Sequence, residues 1–118
     1  MRARLDERLK LFVLYMRTRQ FDNCYDLFSD SYIEEMKTVN IRSKSDYLAR
    51  LKQLPESDPA FDDFLPLSTT KTANDSYLIS GTVVSRHNNQ TFETKSSLEA
   101  RWQKEDWYFS EFTLDERR

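Results

Sequence analysis

Two adjacent glutamates, Glu34 and Glu35, are the acid–base candidates in this chain. A carboxylate turned into an apolar pocket loses water, its pKa rises towards neutrality, and it can then act as a general base. Left on a short exposed strand, the same pair is simply solvated charge. His87 is the single histidine and the one side chain that titrates near neutrality unperturbed. It precedes Asn88-Asn89, a turn signal that predicts a solvated position. Tyr15, Tyr32 and Trp102 carry polar tips on apolar bodies and need partners if buried. Thr94 and Ser96 share an alternating face with Phe92 and Trp102. Small polar groups on such a face line a cavity or bond to water, and tight strand crossings explain them equally well. Tyr15, Tyr32, Thr94, Ser96 and Trp102 are therefore the predicted lining of a mostly apolar ligand pocket.

Several chemistries are excluded by composition. One glycine in 118 residues rules out a glycine-rich phosphate cradle. Cys24 is the only cysteine, so there is no internal disulfide and no Cys/His cluster for zinc. Eighteen basic residues against twenty acidic give a net charge of −2, which offers no basic field for nucleic acid. The longest apolar run, Leu11 to Met16, is far short of the roughly 20 residues of a membrane span. The charged start, Arg2-Ala3-Arg4-Leu5-Asp6-Glu7-Arg8, lacks the apolar core of a signal peptide. A soluble, cytoplasmic protein with no nucleic-acid or membrane partner is expected. The patterns Asn74-Asp75-Ser76 and Asn89-Gln90-Thr91 match glycosylation acceptors and are discounted in that setting.

The elements that must position these residues follow from periodicity. Leu5, Leu9, Phe12, Val13 and Met16 recur at helical spacing and predict a helix over 3–18. Phe21, Cys24, Tyr25 and Phe28 predict a second over 22–28, with Asp22 or Asn23 as cap. After Ser29-Asp30-Ser31, the alternation of Tyr32, Glu34 and Met36 with their neighbours predicts a short strand over 32–37. Tyr47, Leu48, Leu51 and Leu54 predict a third helix over 46–54, stopped by Pro55. Strands are expected over 64–72, 76–86, 91–103 and 107–114, joined by turn-like segments. In the third of them Phe92, Thr94, Ser96, Leu98, Ala100 and Trp102 take one face. Glu93, Lys95, Glu99 and Arg101 make the other a charged ribbon, either solvated or at a peripheral dimer contact. The fold class is α+β: three N-terminal helices packed into a curved, mostly antiparallel sheet, in a single domain over 1–118.

This order resembles the nuclear transport factor 2-like superfamily, which includes SnoaL-like proteins and ketosteroid isomerases. The likeness is carried by Tyr25-Asp26-Leu27-Phe28-Ser29-Asp30-Ser31-Tyr32, by Ile41-Arg42-Ser43-Lys44-Ser45-Asp46-Tyr47-Leu48, and by the closing stretch from Leu98 to Phe109. The resemblance implies a cystatin-like cone with a pocket between sheet and helices, and commonly a homodimer. Members include isomerases, dehydratases, cyclases and epoxide hydrolases, as well as binding and assembly modules, and fold alone does not choose among them. The isomerase site uses a carboxylate base and an oxyanion hole made of a tyrosine and a protonated acid. Aligned through Leu27-Phe28 and Arg101-Trp102, those positions fall on Met36, Phe12 and Leu98, so steroid-type isomerisation is not expected. A one-residue slip brings Glu35 to the base position.

The leading expectation is a homodimeric, cofactor-free domain that binds a small, mostly apolar ligand. Its rivals are a lyase or isomerase with Glu35 as base and Tyr15 or Tyr32 polarising the substrate, and a protein-interaction module with a closed cone.

Overall fold

The computed structural model describes residues 2–53 and 60–114. Four helices, α1 (Arg2–Arg17), α2 (Phe21–Asp26), α3 (Asp30–Lys37) and α4 (Lys44–Lys52), precede strands β1 (Ala60–Ala73), β2 (Ser76–His87), β3 (Gln90–Gln103), β4 (Asp106–Phe109) and β5 (Thr113–Leu114). The sheet runs in the order β1-β2-β3-β4, antiparallel throughout, and β5 pairs with β3 beyond the end of β4. The fold is α+β, as the patterning requires. Leu54 and the Pro55–Pro59 loop lie outside the described residues.

Residues 32–37, expected as a strand, are helical. Tyr32, Ile33 and Met36 satisfy helical spacing as well as they satisfy alternation, and six residues are too few for periodicity to decide. Capping decides instead. Ser29 Oγ accepts from the Tyr32 backbone N–H at 3.2 Å, so Ser29-Asp30-Ser31 starts a helix rather than ending one. The break before it is tertiary: Phe109 donates its N–H to Leu27 O, and Ser29 donates to Phe109 O. A short parallel bridge between Phe28 and Phe109 therefore replaces the helical hydrogen bonds there. The last helix also begins two residues early, because Ser43 caps it by accepting from Asp46 N.

α1 buries Leu5, Leu9, Phe12 and Val13. It ends in a Schellman turn in which Arg19 donates to Met16 O and Gln20 to Tyr15 O, with Arg19 left-handed at φ 61°. Arg4 and Arg8 tie its start to β4: Arg4 forks onto the Asp106 carboxylate, and Arg8 forks onto Trp107 O. Ile79, Gly81 and Val83 of β2 and Leu98 and Ala100 of β3 are buried towards the helices. Phe92, expected on that inward face, is 43% exposed, since β3 extends past the helices at that end.

The edge strand β1 bends sharply. Its pairing with β2 shifts between Phe61 and Asp63, between Pro66 and Ser68, and between Lys71 and Ala73. Each shift inserts one extra residue and increases the local twist. The chain's one glycine serves the middle shift. A Cβ at Gly81 would sit 2.3 Å from Leu65 O and 2.8 Å from Pro66 Cα, so only glycine lets β1 cross there.

Candidate functional site

The segment joining β4 to β5 holds the least ordinary chemistry in the molecule. Ala100 pairs with Phe109 and Ser97 with Thr113, so three steps along β3 face four along the returning chain. The extra residue is a bulge at Ser110-Glu111-Phe112, held open where Ser110 N–H donates to Glu99 O and Ser110 Oγ accepts from Glu99 N–H. A bulge re-aims the side chains that follow it. Here Glu111 and Phe112 both turn inward. Phe112 contacts Phe12, Phe61 and Phe64 at ring-centroid distances of 5.7, 5.5 and 4.8 Å.

Glu111 is partly buried and accepts a 3.2 Å hydrogen bond from the Tyr32 hydroxyl. Burial pushes its carboxyl above the ordinary carboxylate range, and the hydrogen bond only opposes that shift. The same desolvation, helped by the Glu111 charge, raises the Tyr32 and Tyr47 hydroxyls and pushes the Cys24 thiol up to about 12. Cys24 is thus an inert thiol at neutral pH. Phe28 binds the cluster together, with Tyr32 edge-on at 4.9 Å and Tyr47 edge-on at 5.3 Å. The result is a carboxyl, two phenols and a thiol gathered from four elements beside an aromatic floor. Such a group can hold a proton or face a cation.

The predicted lining residues make separate contacts, apart from Ser96 and Thr94, which are joined along β3. Tyr32 lies against Glu111, whereas Tyr15 is half-buried on α1 and packs on the core. Ser96 is buried and donates to Thr94 O at 3.0 Å, so its hydroxyl is satisfied within its own strand. Trp102 stands edge-on to Trp107 at 5.3 Å. Glu34 and Glu35 are both exposed on α3, with Glu34 paired to Lys37 Nζ at 2.8 Å. The desolvated carboxyl near Tyr32 is therefore Glu111, not Glu35. Reading the alternation of the expected 107–114 strand onwards, Trp107, Phe109, Glu111, would have placed an acid on the core face. His87 sits at its hairpin, beside Asn88 and Asn89 with φ of 52° and 63°. Glu99 and Arg101 pair along one strand at 3.1 Å on the outer face.

Open space lies elsewhere. A groove of about 660 Å³ runs between α1 and β1, with Leu9, Val13 and Leu14 on one wall and Phe64 and Pro66 on the other. Asp6, Lys10, Arg17 and Asp63 also line it. A smaller groove of about 370 Å³ between α2 and α4 is lined by Phe21, Leu48 and Leu51 with Arg19, Asp22 and Lys52. None of the five predicted pocket residues lines either groove. Among the described residues, no three His, Cys, Asp or Glu side chains gather to hold a metal ion, and no helix is long and apolar enough to cross a membrane. Comparison with known protein families, with curated proteins and with solved structures finds no match to this chain.

Proposed function

We propose that this chain is a small-molecule-binding domain, built on the plan of the nuclear transport factor 2-like proteins, that takes a mostly apolar ligand between α1 and β1. The groove there carries the reading. Its 660 Å³ falls within the roughly 300–1,000 Å³ of ligand pockets, and its walls are aliphatic and aromatic with charged groups beside them. Both walls are fixed before any ligand arrives. α1 is anchored through Arg4 and Arg8, and β1 is bent by its bulges. Binding therefore requires little ordering of the protein, which favours affinity. The test is fluorescence titration with a neutral apolar dye such as N-phenyl-1-naphthylamine. Leu14 is an exposed wall residue, so Leu14→Arg leaves the core intact and should weaken dye binding about tenfold. Unchanged binding in that variant would remove the groove as the site.

The homodimer reading has its own support. Leu65 and Leu78 are exposed on the sheet face turned away from the helices. Two copies joined through that face would cover them. Sedimentation should then give a dimer that Leu78→Lys converts to monomer; a parent chain that sediments as a monomer would end this reading.

A further inference from the structure

The geometry points to Glu111, with the rings of Tyr32, Phe28 and Tyr47 beside it, as a binding site for an organic ammonium ion. The site shares no lining residue with the α1–β1 groove and does not rest on the reading given for it.

Glu111 takes part in no ion pair among the described residues, and its one side-chain hydrogen bond is the neutral Tyr32 hydroxyl on Oε2. Oε1 accepts no hydrogen bond among the described residues. Lys37 at the end of α3 and Lys44 at the start of α4 are already committed, to Glu34 and Asp26, each at 2.8 Å. Glu35 adds a second negative charge whose field reaches the Tyr32 hydroxyl. Buried charge is ordinarily paired, so an inward carboxylate with no cation beside it among the described residues is poised for one from outside.

The surroundings select the kind of cation. A compact, strongly hydrated ion such as Na⁺ or a lysine ammonium gives up too much water at an aromatic surface. A methylated ammonium is weakly hydrated, presents apolar methyl groups to the half-exposed ring of Tyr32, which is backed by the buried Phe28, and is attracted by that ring as well as by the carboxylate. Tyr32 and Glu111 both retain exposure, so the ligand can reach them from solvent while Tyr47 and Cys24 close the inner side.

Choline titrated into the full chain at about pH 8, above the ordinary carboxyl range, should shift the Tyr32 and Phe28 ring signals saturably in the millimolar range. The neutral isostere 3,3-dimethylbutan-1-ol should shift them about tenfold more weakly. Glu111→Gln keeps an oxygen for the Tyr32 hydroxyl and hence the fold; it should weaken choline about tenfold. Tyr32→Phe, which keeps the ring, should weaken it less. Equal binding of the neutral isostere, undiminished choline binding in folded Glu111→Gln, or no saturable shift in the folded parent chain would each overturn the proposal.

Discussion

The two sides of the aromatic core are built with the same device and reach opposite results. On the β1 side, three extra residues bend an edge strand, push Leu67 out to 79% exposure, and leave an aliphatic trough against α1. On the β4–β5 side, one extra residue turns Phe112 inward beside Glu111, whose carboxylate the Tyr32 hydroxyl meets. A bulge at a free edge has nothing to pack its added side chain against and so opens the surface. A bulge between two segments that both pair with β3 is held at each end, and its added side chains must go inside. The two sides therefore offer different chemistry from one structural irregularity: an apolar trough on one, and on the other a carboxylate that meets a phenol and, among the described residues, no cation.

Phe112 is the largest single element of that contrast. Phe112→Ala removes a ring that contacts Phe12, Phe61 and Phe64, and should cost about 3 kcal/mol in urea denaturation. If the cost is below about 1 kcal/mol, the ring is not structural. Gly81→Ala tests the β1 side alone. The added methyl meets backbone at Leu65 and Pro66 rather than a side chain that can swing away, and about 2 kcal/mol of stability should be lost. Unchanged stability would mean that β1 does not cross as closely as described.

Glu111→Gln tests the other side through its pH dependence. Because the folded carboxyl titrates above its unfolded value, its favourable contribution is complete below the unfolded range of about 4.3 and is lost as pH rises through the raised value. The parent chain should therefore lose stability from about pH 4 towards neutrality relative to the variant, and the variant should be the more stable of the two at about pH 7. A parent and variant that run parallel across that window would contradict the desolvation of Glu111. The smallest effect belongs to the β3–β4 hairpin, whose turn places Lys104 and Glu105 at φ of 51° and 63°. Replacing them by Asn-Gly should add about 1 kcal/mol of stability without changing the behaviour of either side.

How legible these regions were depends on what signals each. α1, α4 and the long strands carry enough periodic positions for pattern alone to place them. α3 does not, because its start is dictated by a hydrogen bond from Tyr32 N to Ser29 and by the pairing of Leu27 and Ser29 with Phe109, contacts that span some 80 residues of chain. The slip had a chemical consequence: as a strand, residues 32–37 put Glu35 opposite Glu34, one of them inward; as a helix, both face solvent. Tyr32 carries a polar tip and meets Glu111, an acid that the alternation of Trp107 and Phe109 already places on the core face; the extra residue that turns Phe112 inward as well shows only against the register of β3. Ser96, a cavity marker by its polarity on an apolar face, spends its hydroxyl on the Thr94 carbonyl within β3. The α1–β1 groove left little trace, since it is defined by the bulges of β1 and not by the side chains of any one element.

The central claim is that the apolar groove and the Glu111 site are separate, and one labelled sample can test it. With the methyl groups of Leu and Val and the rings of Tyr observed together by NMR, a neutral apolar fragment should shift Leu9, Val13 and Leu14 while leaving Tyr32 and Tyr47 in place. Shifts at the two tyrosines with none on α1 would place the apolar ligand beside Glu111 and contradict the account.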